Sequence, residues 1–101
     1  MPKHIKNAEE FAAEIASGKV LLDFFATWCG PCNMLTPVIE ELEKERADVK
    51  FIKVDVDELP EIAAKFSVYS IPTLVYFENG EEKRKRLGYA PTAALEKFLN
   101  E

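Results

Sequence analysis

Val20 to Ala26 is a nearly continuous apolar run. At this length it is predicted to be a strand buried on both faces, which places it in the middle of a sheet covered by helices on both sides. One residue breaks the run. Asp23 stands at its centre, where a carboxylate is costly unless it is paired, hydrogen-bonded or protonated. The run then leads into Trp28-Cys29-Gly30-Pro31-Cys32, and both cysteines of the chain lie in that motif.

The remaining pattern supplies what must cover such a strand. Lys3 to Lys6 can form a short strand around Ile5. Asn7 is a good N-cap with Glu10 at N3, Phe11 and Ile15 recur at i and i+4, and Gly18 follows as a stop, so residues 8–17 read as a short amphipathic helix. Residues 31–46 read as a helix with Met34, Leu35, Val38, Ile39 and Leu42 on one side and Glu40, Glu41, Glu43, Lys44 and Glu45 on the other. Pro31 suits its first turn, and Pro37 is expected to bend it without ending it. Phe51, Ile52, Val54 and Val56 mark a strand, and Pro60 opens a helix carrying Ile62, Ala63 and Phe66. Thr73 to Phe77 is a strand, Asn79-Gly80 a hairpin turn, and Glu81 to Leu87 the returning strand. Pro91-Thr92 precedes a closing helix with Leu95, Phe98 and Leu99. The order β-α-β-α-β-α-β-β-α predicts an α/β fold: a central mixed β-sheet, parallel in its N-terminal part, with an antiparallel C-terminal hairpin and helices on both faces. With 101 residues, one domain over residues 1–101 is expected.

Two cysteines are too few for a disulfide scaffold and are half of a four-thiolate zinc site, which His4 cannot complete at usual ligand spacing. A bridge closing so short a loop would gain little from chain entropy. These counts favour a reactive pair, with a zinc site shared with another chain or an inert buried pair as the alternatives. The net charge of -5 argues against nucleic acid as the main partner. No apolar stretch resembles a signal peptide or a membrane span, so a cytoplasmic location is expected.

Trp28-Cys29-Gly30-Pro31-Cys32 after an apolar strand, Asp23 six residues before the first cysteine, and Ile71-Pro72-Thr73 further on resemble the thioredoxin family over nearly the whole chain. The resemblance implies the thioredoxin fold and a protein-disulfide reductase. Cys29 would attack a substrate disulfide and Cys32 would resolve the mixed disulfide. The residue types agree with that chemistry. Cys29 falls at a helix N-terminus, where unpaired N–H groups and the helix dipole favour a thiolate. A more acidic thiol is also a weaker nucleophile, so the main gains lie in leaving-group ability and reduction potential. The resemblance further matches Asp23 to a buried acid that deprotonates the resolving thiol, Lys53 to a lysine that tunes that acid, and Pro72 to a cis-proline facing the cysteines. Trp28, Gly30, Pro31, Ile71, Pro72 and Gly88, with Tyr89, would form the apolar substrate-binding rim. No bound cofactor or metal is implied. Reducing equivalents would come from NADPH through a separate thioredoxin reductase, with disulfide-containing proteins as substrates and a monomer as the working form.

Three departures from the family pattern stand out. Phe25 occupies a position where a second Trp is common, Asn33 follows Cys32 where Lys or Arg is common, and the N-terminal segment is short. The basic run Lys83–Arg86 reads as a charged edge strand rather than a nucleic-acid patch. His4, Asp55 and Asp57 have no constellation around them in the sequence and read as surface. Two rival uses of the motif remain at this level: an oxidase or isomerase of a secretory compartment, and a binding subunit whose redox cycling is incidental.

Overall fold

The computed structural model describes residues 1–101. The apolar run forms strand β2, Lys19–Phe25, at the centre of a five-stranded sheet of order β1-β3-β2-β4-β5. β1 (Lys3–His4) and β2 both run parallel to β3 (Val49–Asp55), while β2 pairs antiparallel with β4 (Thr73–Glu78), which pairs antiparallel with β5 (Glu81–Leu87). The helices between them are α1 (Ala8–Ile15), α2 (Gly30–Glu45) and α3 (Pro60–Lys65), and α4 (Thr92–Asn100) closes the chain. Element order and the mixed parallel–antiparallel sheet follow the hydrophobic pattern. β1 is two residues, shorter than the expected Lys3 to Lys6, and Ile5 just beyond it is buried in the core.

Alternation along β2 divides the core in two. Val20, Leu22 and Phe24 point to one face, where they meet Phe11 of α1, Ile62 and Ala63 of α3, and Phe77. Leu21 points to the other face, where it meets Leu35, Ile39 and Leu42 of α2 and Leu95, Phe98 and Leu99 of α4. Asp23 and Phe25 share this second face with Leu21.

Local signals act as their chemistry predicts. The Asn7 side chain accepts from Glu10 N at 2.8 Å. In the reciprocal bond Glu10 Oε1 accepts from Lys6 N at 2.6 Å, one residue before the cap. α1 ends at Ile15, earlier than the expected 17, and Gly18 lies beyond it with φ 75°, leading into β2. The Asn79-Gly80 turn has φ 51° and 85°, a pair of left-handed residues matched to strand twist. α2 continues unbroken through Pro37.

Three of the four basic residues on β5, Lys83, Arg84 and Lys85, find partners within the fold, while the buried Nε of Arg86 has none. Arg84 donates to Phe98 O at 2.8 Å and Leu99 O at 3.1 Å, which satisfies carbonyls at the C-terminal end of α4. Lys85 donates to Phe66 O just past α3, and Lys83 pairs with Glu81. Two acids and a histidine read as surface are not free side chains. Asp55 is buried and accepts from Asp57 N at 2.8 Å, shaping the turn after β3. His4 is half-buried, lies edge-on to the Phe25 ring and is 2.8 Å from Glu58 Oε1. The partner of His4 lies 54 residues away, so no local spacing announces it.

Candidate active site

The N-terminus of α2 abuts the C-terminal end of β2, and Cys29 is the N-cap of that helix. Its backbone is extended, with φ -88° and ψ 111°, and its Sγ accepts from Cys32 N at 3.2 Å. One of the helix's unpaired N–H groups is therefore spent on the sulfur, an arrangement that stabilises negative charge there once the thiol is free. Cys29 and Cys32 form a disulfide with a Cα–Cα separation of 5.3 Å. They are 4% and 3% exposed and pack against Ala26, Phe25, Val56 and Ile71. Gly30 and Pro31, between them, are exposed in the first turn. Asn33 turns back towards Thr27 O at 3.4 Å.

Ile71 and Pro72 come from the loop before β4, and their peptide bond is cis. The Ile71 carbonyl oxygen lies 3.8 Å from Cys29 Sγ, a contact in this oxidised state because the sulfur has no proton to donate. Thr73 Oγ1 braces the loop by donating to Ser70 O at 2.6 Å. Gly88 N donates to Pro72 O at 2.8 Å, which ties the end of β5 to the same loop. Gly88 has φ 85°, a conformation that disfavours any side chain, and the space where a Cβ would sit is open.

Beside the disulfide lies a cavity of about 170 Å³ lined by Trp28, Val56, Val68, Tyr69, Ser70 and Ile71. Of the rim residues expected from the sequence, only Trp28 and Ile71 line this cavity; Gly30, Pro31, Pro72 and Gly88 do not. Val56, Val68, Tyr69 and Ser70 are new to it. Tyr69 is 90% exposed and Trp28 71%, so two aromatic side chains stand in solvent close to a buried disulfide. Exposed apolar surface of this kind marks a contact site. Trp28 does not hang free, because its Nε1 donates to Asp57 Oδ2 at 2.8 Å. Asp57, read from sequence as plain surface, thus fixes the ring that flanks the cysteines. A turn acid two residues beyond the buried Asp55 was the only signal available for it.

Asp23 lies in a row that crosses the sheet as His4, Lys53, Asp23, Leu74 and Arg86 on neighbouring strands. Leu74 belongs to the core beneath α2 and α4, so the row faces the helix that carries Cys32. Asp23 is buried and its Oδ1 has no hydrogen-bond partner. Burial pushes its carboxyl up to about 7, and the charge of Lys53 opposes that rise. Lys53 is the direct cross-strand neighbour of Asp23, but no salt bridge joins them. Its ammonium sits instead over the Phe25 ring, 5.1 Å from the centroid. The site therefore combines a helix-end sulfur pair with a buried acid whose carboxyl is raised towards neutrality, which suits a thiol–disulfide cycle with proton transfer. No three His, Cys, Asp or Glu side chains are grouped as a metal site, and no helix is long and apolar enough to cross a membrane.

Comparison with known proteins adds an independent line. The family model described as Thioredoxin matches residues 2–101. The chain is 47% identical over 93 residues to the thioredoxin of Bacillus subtilis (strain 168), spanning 91% of this chain and 89% of that protein. It is 48% identical over 96 residues to the thioredoxin of Chlamydia trachomatis serovar D, spanning 95% and 94%. Among solved structures it is similar to oxidised mitochondrial thioredoxin 3 from Saccharomyces cerevisiae, with a TM-score of 0.90 and 40% identity over 98% of this chain and 93% of that one.

Proposed function

This chain belongs to the thioredoxin family and is a thiol–disulfide oxidoreductase, and from that premise we propose how its residues divide the work of reducing protein disulfides. The observation that carries the reading is the Cys29–Cys32 disulfide at the N-terminus of α2, with the buried Asp23 facing the same helix.

In the dithiol form, the Cys29 thiolate attacks a substrate disulfide. The Cys29–substrate bond forms, the substrate disulfide breaks, and the first substrate sulfur leaves as a thiolate. Cys32 then passes its proton to the Asp23 carboxylate and attacks Cys29 Sγ. The Cys29–Cys32 bond forms, the second substrate sulfur leaves, and Asp23 holds the proton until water or the departing thiolate takes it. An acid with an ordinary carboxyl pKa would hold that proton too weakly to be useful at neutral pH. Trp28, Ile71 and the cis-Pro72 loop receive an extended substrate segment, with Gly88 leaving room for its backbone. Gly30 and Pro31 keep the helix end low beside it. Lys53 tempers Asp23.

The chain returns to the dithiol by accepting electrons from NADPH through a separate thioredoxin reductase. It works as a monomer in the reducing cytoplasm, on disulfide-containing proteins rather than nucleic acid.

An insulin-reduction assay with NADPH and a thioredoxin reductase tests this. Wild type should turn over, Cys29→Ser should be inactive, and Cys32→Ser should accumulate a mixed disulfide. Asp23→Asn should slow the resolving step several-fold. Turnover that survives Cys29→Ser overturns the reading.

A further inference from the structure

We propose that Phe25 is a positioning residue whose ring holds the Lys53 ammonium on the Asp23 face of the sheet, close enough to act on Asp23 but outside hydrogen-bond distance. This deepens the reading above and rests on Asp23 being the proton acceptor.

The geometry is specific. Phe25 follows Asp23 by two residues on β2, so both point to the α2 face. Lys53 stands opposite Asp23 on β3, and its Nζ lies 5.1 Å from the Phe25 ring centroid. Lys53 Nζ has no hydrogen bond and no salt bridge to another group, so the ring face is the attractive surface it meets. An ammonium within about 6 Å of an aromatic centroid is drawn to the ring's negative face. Without such a seat, a half-buried lysine extends its strongly hydrated head to water. The ring is itself held. His4 packs edge-on against it, with centroids 5.7 Å apart at 68°, and Glu58 Oε1 holds His4 Nε2 at 2.8 Å.

This seat sets a middle course for the acid. A direct ion pair would fill the unpartnered Oδ1 of Asp23 and pull its proton affinity down. An ammonium released to water would leave burial unopposed, and the carboxyl would keep its proton. The groups facing Asp23 are few enough to assign the effect. α2 brings Cys32 and Cys29, and β3 brings Lys53 and, two residues further on and opposite Phe25, the buried Asp55, whose Oδ1 accepts from Asp57 N. His4, with Glu58 behind it, lies beyond Lys53 on β1, and Arg86 on β5 is separated from Asp23 by Leu74 of β4.

The test follows the Asp23 carboxyl directly by carbon-13 NMR titration, in oxidised and reduced protein. Phe25→Leu should raise the Asp23 midpoint by about 0.4–0.7 unit, the scale of an exposed cation–π contact. Phe25→Trp, which keeps a ring with a stronger face, should hold the midpoint at or below the wild-type value. In a Lys53→Met background, Phe25→Leu should add no further shift. The proposal is overturned by an unchanged or lowered midpoint in Phe25→Leu, by a raised one in Phe25→Trp, or by an equal shift with and without Lys53. Insulin turnover of Asp23→Asn is read separately. If that variant reduces insulin at the wild-type rate, the proton-acceptor role fails while the Phe25–Lys53–Asp23 coupling stands.

Discussion

The two faces of one sheet are built to opposite rules. On the side of α1 and α3, Phe24 packs against Phe66, and Phe66 and Phe11 meet Phe77 edge-on, in an apolar cluster whose buried polar neighbour, Thr73, donates its hydroxyl to Ser70 O. On the side of α2 and α4, the same strand places Leu21, then the buried carboxyl of Asp23, then Phe25 beneath a lysine. The first face is free to maximise packing. The second carries a buried, incompletely bonded acid, a stability cost accepted beside the disulfide. The strand is thus stabilised from one side and made reactive from the other.

The largest effect should come from breaking the packed face. Phe24→Ala removes a fully buried ring and should cost about 3–5 kcal/mol. For a chain of this size that is a fall in Tm of roughly 15–30 °C, read by calorimetry. Insulin turnover per folded molecule at low temperature should remain near wild type, because that cluster meets the cysteine pair only through the half-buried Val56. A large loss of turnover in the folded fraction would show that the two faces are not independent.

The matching change on the other face should have the opposite sign. The Asp23 carboxyl is raised from an ordinary 3.8 to about 7 by burial, with Lys53 opposing. As pH rises through 4, the unfolded chain loses this proton while the folded chain keeps it. Stability therefore falls between about pH 4 and 7 and levels off above, where both states are ionised. A shift of that size corresponds to roughly 4 kcal/mol at full effect. Asp23→Leu should remove the penalty. It should be more stable than wild type at pH 8 by a few kcal/mol, on the order of that shift, and gain little at pH 4. Urea unfolding at the two pH values measures this, and a variant equally stabilised at both would place the cost in packing instead of charge.

That contrast also explains what the sequence could and could not disclose. The packed face and the element order are written in local periodicity: Val20 to Ala26, Phe11 with Ile15, and the stripe from Leu35 to Leu42. The cysteine motif is local too, and Asp23 is conspicuous because it interrupts an apolar run. The partnerships that tune the site are not local. Asp57 reaches Trp28 across 29 positions, and His4 reaches Glu58 across 54. Tyr69 and Val68 line the cavity only because the loop before Pro72 folds over Trp28. Arg84 looks like part of a basic patch until α4 brings its terminal carbonyls to it. Strand register and loop path decide these contacts, and single-sequence periodicity carries neither.

The smallest predicted effect concerns the rim, where the two regions meet solvent. Asp57→Ala removes the acceptor for the Trp28 indole N–H, held at 2.8 Å. Trp28 is largely exposed, so water replaces the lost bond and stability should change by less than about 1 kcal/mol. The ring, however, loses its fixed orientation over the cavity beside Cys29. Because Trp28 is the sole tryptophan, its fluorescence anisotropy reports the change without interference, and it should fall. If the oriented ring serves substrate binding, KM for insulin should rise by roughly two- to three-fold with kcat unchanged, the signature of lost uniform binding. A fall in kcat with unchanged KM would move Trp28 out of binding and into the chemistry at the disulfide. Unchanged anisotropy would mean that packing against the cavity, not Asp57, fixes the ring.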